Sequence, residues 1–206
     1  MDAKQILKLI HFSERLKNEL RHSWTSKDRQ ESVAEHTWRM SLMASLIAPK
    51  LNEKVDLTKV LKMIIIHDLS EAFVGDTPAF MLKEKEAKEI LEKGAMEKMK
   101  LEYNDKVVDE IAELWKEYTD RKTPEAKFAT ALDKMEVRIQ HNESTMDRWN
   151  EVEYPRSQFA ADKYCNYDKF LKELNELVKE ESKNKIIKES KKDFSKVKKE
   201  AEDLAK

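Results

Sequence analysis

Only two glycines and four prolines occur in the 206 residues, and this scarcity limits what the chain can build. Tight hairpin turns draw on glycine for backbone at positive φ, so a chain this poor in glycine is starved of hairpins and steered toward helices. The remaining composition agrees, because 40% hydrophobic and 39% charged residues suit helices with one face for a core and one for water. The expectation is an all-α fold. The length is that of one domain with a sizeable core.

The balance of charge removes some partners. Lysine and arginine total 40 against 41 aspartates and glutamates, so no global field favours a nucleic acid polymer or an anionic membrane as main partner. Cys165 is the only cysteine, which excludes an internal disulfide framework and a cysteine-rich zinc site and leaves a small packing residue. No apolar run approaches the roughly 20 residues that span a bilayer. The opening MDAKQILKLIHFSERLKNEL reads as an amphipathic helix rather than a signal peptide, and the protein is expected in the cytoplasm.

Periodicity places the elements. Ile6, Leu7, Leu9, Ile10, Leu16 and Leu20 make a helical stripe over the first 20 residues, and a polar linker follows at about 24–31. Ser32 and Glu35 have capping-box spacing and start a helix to about Leu51, with His36 in its first turn. A third helix begins near Asp56 or Thr58, turns Val60, Leu61, Ile64 and Ile65 to the core, and delivers His67 and Asp68 at its end. One more turn would put Glu71 on their side. Gly75 permits a change of direction and Pro78 closes the segment.

Helices are further expected at about 83–100, at 105–118, from Thr123 as N-cap with Pro124 at the first position, and at 157–180. The charge-dense stretch from Lys179 onward is expected to be a solvated helix or tail, with residues 1–178 forming the main domain. Trp38, Trp115 and Trp149 read as packing residues, and His11, His22 and His141 as ordinary core or surface histidines.

The chemistry concentrates in IIIHDLSEAFVGDTP, where isoleucines run straight into His67, Asp68, Glu71 and Asp76. Buried carboxylates without a counter-charge are costly, and a cation gives them a reason to be there. Imidazole nitrogen with carboxylate oxygen suits borderline and hard divalent ions. His36, His67, Asp68 and Asp133 would offer such donors from three helices.

The segments ESVAEHTWRMSLMA, HDLSEAFVGDTP and ALDKMEVRIQ resemble the HD-domain metal-dependent phosphohydrolases, and within them the branch of bacterial 5'-deoxynucleotidases and HD-domain-containing protein 2. The resemblance runs from about residue 5 to 178. It implies a helical bundle in which His36, His67, Asp68 and Asp133 hold one divalent ion (cobalt, manganese, magnesium or zinc), Glu71 and Asp76 are catalytic carboxylates, and the protein is a homodimer. By the same likeness Arg21 contacts the substrate phosphate and Trp24 the sugar of a nucleoside 5'-monophosphate. Phosphomonoester hydrolysis needs a nucleophilic water, neutralised phosphoryl oxygens and a proton for the leaving alkoxide, so these residue types are chemically apt. Two rivals share the sequence features: an HD-type hydrolase of another substrate, such as a nucleoside triphosphate, a signalling nucleotide or an oxidised small molecule, and a metal-stabilised interaction protein with no catalytic role.

Overall fold

A computed structural model describes residues 1–76 and 82–205, with side chains placed for all of these except 82–86 and 88; the turn expected at Pro78 lies outside the described residues. Helices dominate, as the glycine count foretold. In chain order they are α1 (Ala3–Ser13), α2 (Arg15–Asn18), α3 (Val33–Ile47), α4 (Leu57–Ile66), α5 (Glu71–Val74), α6 (Leu82–Tyr103), α7 (Lys106–Asp120), α8 (Pro124–Glu143), α9 (Glu153–Arg156), α10 (Asp162–Cys165), α11 (Lys169–Glu189) and α12 (Phe194–Leu204).

Local signals start the helices that build the site. The Ser32 hydroxyl accepts from the Glu35 N–H while the Glu35 carboxylate accepts from the Ser32 N–H, a complete capping box for α3. Asp56 caps α4 and Thr123 caps α8, with Pro124 in the first turn where its missing N–H costs nothing.

The bundle is arranged around α8, which packs against α3, α4, α7, α10 and α11. Its run of Ala126, Ala129, Thr130 and Ala131 is buried and short, so neighbouring helices approach closely. Phe128, Leu132 and Met135 then fill the space against Met40 and Met43 of α3, Met63 and Ile64 of α4, and Leu171 of α11. Each such side chain contributes roughly 1.5–3 kcal/mol by leaving water. Cys165 is buried in this core as a free thiol.

Four expectations need correction. A two-stranded antiparallel sheet occupies the region read as helix end and linker: β1 (Leu20–Trp24) pairs with β2 (Gln30–Ser32), Leu20 opposite Ser32 and Trp24 opposite Gln30. The turn dispenses with glycine by placing Asp28 at φ 57°, a conformation that aspartate tolerates better than most residues. The first helix therefore stops at Ser13, and Ile6, Leu7, Ile10 and Leu20 remain exposed.

The helix drawn over 157–180 is instead a run of turns, the short α10 and the first half of α11, whose N-cap is Asp168. The charge-dense end is less solvated than its composition suggests. Ile186 of α11 and Val197 of α12 are buried against Trp149 and Tyr154. Finally, Ile65 and Trp38 face outward, Trp38 at 66% exposure, whereas Trp115 and Trp149 are buried. Among the described residues no helix is long and apolar enough to cross a membrane.

Candidate metal centre

Three elements bring the candidate donors together. His36 sits in the first turn of α3, His67 is the C-cap residue of α4, and Asp133 lies mid-way along α8. One donor atom from each of the three falls within 4.8 Å of the other two, and all three residues are buried. Asp68 joins through its Oδ2, 3.0 Å from His67 Nε2.

The tautomers follow from the hydrogen bonds. His67 Nδ1 lies 2.7 Å from the Ile64 carbonyl, which can only accept, so Nδ1 carries the proton and Nε2 presents its lone pair. His36 Nδ1 meets the Glu136 carboxylate, and its Nε2 lies 3.4 Å from Asp133 Oδ1. Both Nε2 atoms are buried with no hydrogen bond. Two orphaned imidazole nitrogens beside two carboxylates fit a borderline divalent cation, with the carbonyl and the carboxylate behind the rings fixing their orientation.

Charge supports the same fit. Glu31, Asp68, Asp133 and Glu136 are faced by Arg21, Arg39 and Lys134, an imbalance that a cation corrects. Arg39 Nε is 3.0 Å from Glu136 Oε1, and Lys134 Nζ is 2.7 Å from Asp133 Oδ2. Burial raises the Glu31 carboxyl to about 7, with Glu136 adding to the effect. Burial and Arg21 disfavour a charged His36, yet the Glu136 and Asp133 carboxylates outweigh both and raise its pKa to about 10. Without a cation a proton takes its place, and metal uptake near neutral pH must displace it. Asp133 goes the other way: burial is outweighed by Lys134 and His36, and its carboxyl is held well below the usual range.

Arg21, from β1, reaches into this cluster. Its Nη1 is 3.5 Å from Asp68 Oδ2 and its Nε 3.5 Å from Glu31 Oε2. Burial opposes its charge, but Asp68 and Asp76 foremost hold the guanidinium protonated. Glu71 opens α5 and is buried; the turn beyond it closes at Gly75, φ 80°, where an added Cβ would meet Glu19 Oε1 at 3.2 Å. That same Glu19 oxygen accepts from the Asp76 N–H at 2.9 Å, which anchors Asp76 at the end of the segment.

Trp24 is placed differently. Its ring lies under the Arg148 guanidinium, 4.0 Å from the centroid, and its carbonyl accepts from Gln140 Nε2. Beyond its pairing with Gln30 in β2, Trp24 thus leans on α8 and the segment after it.

Three residues at the centre went unread in the sequence. Glu136 stands one turn beyond Asp133 on α8, and that i, i+3 pair of acids on an apolar helix was the available signal. Glu31 sits in β2, whose strand was not foreseen. The Tyr118 hydroxyl donates to Asp133 Oδ2 at 3.1 Å, and its ring meets His67 edge-on with centroids 5.2 Å apart. Nothing in the sequence around Tyr118 marks it.

The HD domain family model matches residues 13–175. The 5'-deoxynucleotidase HDDC2 of Xenopus laevis is 32% identical over 140 residues, covering 67% of this chain and 68% of that protein. The 5'-deoxynucleotidase hdd1 of Schizosaccharomyces pombe is 33% identical over 147 residues, covering 66% and 72%. Among solved structures, a predicted metal-dependent phosphohydrolase from Magnetospirillum magnetotacticum superposes with a TM-score of 0.69 at 26% identity, covering 87% of this chain and 94% of its own.

Proposed function

Because the chain belongs to the HD domain family, we propose that it is a metal-dependent phosphohydrolase that cleaves the phosphate monoester of (deoxy)nucleoside 5'-monophosphates, giving a nucleoside and phosphate. The relatives that carry the name 5'-deoxynucleotidase support this substrate class. The observation that carries the reading is the meeting of two orphaned imidazole nitrogens with Asp133 and Asp68 beside a buried arginine.

His36, His67, Asp68 and Asp133 would hold the cation. When bound, a divalent ion supplies Lewis acidity to a phosphoryl oxygen and to the attacking water. The chain's own residues do the rest. Arg21 can turn its planar fork from Asp68 and Glu31 to the phosphate and donate two parallel hydrogen bonds. Glu71 orients the water and takes its proton as the new O–P bond forms. As the bond to O5' breaks, Asp76 hands that oxygen a proton; the two carboxylates are open to exchange of roles. Trp24, half-buried, is the candidate sugar contact on the face away from Arg148.

Residues 1–178 hold the hydrolase unit, placed in the cytoplasm with its nucleotide substrates. Trp38, Leu42 and Leu46 are exposed at four-residue steps along α3, and such a stripe suits a second copy across a two-fold axis. The ion is cobalt, manganese, magnesium or zinc.

The test is phosphate release from a panel of nucleoside 5'-mono- and triphosphates after chelation and reloading with each ion. Release from monophosphates is expected, with Glu71→Gln and Asp76→Asn slowing turnover on the order of 10²–10⁴-fold while metal content stays unchanged. No release from any monophosphate with metal bound, or pyrophosphate or triphosphate among the products, would overturn the reading.

A further inference from the structure

A second cluster of donors lies further along α8, apart from the centre above. His141, at the C-terminal end of α8, and His22, in β1, both direct Nε2 at the same oxygen, Oε1 of Glu153 in the first position of α9. The His141 contact is 3.0 Å, and the two imidazole rings stand edge to face with centroids 5.6 Å apart. One donor atom from each residue lies within 4.8 Å of the other two. We propose that His22, His141 and Glu153 form a second metal site, of the zinc or cobalt class, that ties β1 to the end of α8 and to α9.

The site is built as metal sites are. The other Glu153 oxygen is fixed by the Asn150 N–H at 2.7 Å, and the His141 backbone carbonyl accepts from the Trp149 indole N–H at 2.9 Å, so carboxylate and helix end are both held in place. His141 and Glu153 are buried, while the His22 side chain keeps 23% exposure and gives an ion a way in. Ser23 Oγ lies 3.4 Å from His141 Nε2, so a further polar group stands beside the three donors.

The donor set also selects the ion. Two imidazoles and one carboxylate favour zinc or cobalt over magnesium, manganese or calcium, which want more oxygens. Arg138, one turn earlier on α8, is buried and acts on Glu153 as a neighbouring cation. That charge disfavours ions held by electrostatics alone and sharpens the preference for nitrogen-seeking metals. In the metal-free protein the His22 and His141 Nε2 atoms each face the Glu153 carboxylate as N–H donors, and a bound ion takes the place of those protons.

The experiment is zinc content per chain, by mass spectrometry, of full-length protein chelated and then dialysed against micromolar zinc. The wild-type protein should carry one equivalent more than His22→Ala and than Glu153→Gln, while Asp133→Ala, which dismantles the other centre, should keep that equivalent. His22→Cys should restore it, because a thiolate can replace the imidazole and a merely structural histidine cannot be rescued that way. Since His22 is partly exposed, its alanine variant should fold even where a Glu153 variant does not. Equal zinc in the wild-type protein and His22→Ala would overturn the proposal and leave the three residues as a hydrogen-bonded network only.

Discussion

His36 and Glu136 meet inside the bundle, Nδ1 against carboxylate, although one belongs to α3 and the other to α8. Both are fully buried. The contact decides which ring nitrogen His36 can offer and anchors the ring before any cation arrives.

The first prediction concerns this pair. Glu136→Gln keeps the shape of the side chain but removes the charge that fixes the ring and strengthens its donor nitrogen. Metal affinity should fall roughly 10- to 100-fold, as read by titration into chelated protein, with the fold retained by circular dichroism. Unchanged affinity would mean that the carboxylate only fills space.

A second prediction separates positioning from charge at Arg21. A fork-shaped donor is not replaced by a point charge, so Arg21→Lys should recover little of what Arg21→Ala loses. Removing a charged hydrogen-bonding partner costs about 1.5–3 kcal/mol, which corresponds to roughly 10- to 150-fold in kcat/KM. Steady-state kinetics on a deoxynucleoside 5'-monophosphate supply the measurement. Full activity in Arg21→Lys would show that any cation suffices.

Legibility followed the range of each signal. Caps at Ser32, Asp56 and Thr123 rest on neighbours three residues away, and the helices they start lie where the sequence put them. His67 and Asp68 stood out because acids running on from Ile64–Ile66 conflict with burial unless something compensates them, while His36 and Asp133 were marked by their place in the ordered pattern that resembles the HD-domain family. Glu31, Tyr118 and Glu136 did not stand out, since their meaning comes from partners brought in by tertiary folding. The hairpin escaped because Asp28 stands where a glycine was sought. Trp38 misled because burial of an aromatic depends on which side of α3 has a neighbour.

A third prediction is acid sensitivity from His141. Its folded pKa is lowered to about 4 by burial, against about 6.5 unfolded. The unfolded chain therefore takes up a proton that the folded chain refuses, and stability falls as pH drops from about 6.5 to 4, by roughly 3 kcal/mol at most. Glu153 is held below the usual carboxylate range despite its burial, by its contacts with His141 and His22, and it extends the loss as pH falls further. Urea denaturation of chelated protein at pH 7 and pH 4.5 should show a smaller drop for His141→Gln than for the wild-type protein. Equal drops would remove His141 as the cause.

The end of the chain gives a fourth. Phe194 and Val197 of α12 pack on Trp149, Tyr154 and Ile186, and Lys192 pairs with Glu151 over the Tyr154 ring. Deleting residues 190–206 uncovers that cluster and should destabilise the protein by about 2–4 kcal/mol, from the apolar burial lost at two side chains. A melting temperature unchanged by the deletion would show that α12 contributes no stability.

The central claim is that four side chains, His36, His67, Asp68 and Asp133, hold one cation on which hydrolysis depends. The most direct measurement titrates cobalt into chelated protein and follows bound metal and phosphate release from a deoxynucleoside 5'-monophosphate together, in the wild-type protein and in Asp133→Ala. The two signals should rise in parallel for the wild type, and both should fail in the variant at the same cobalt concentrations. Phosphate release from metal-free protein, or full release from Asp133→Ala, would contradict the account.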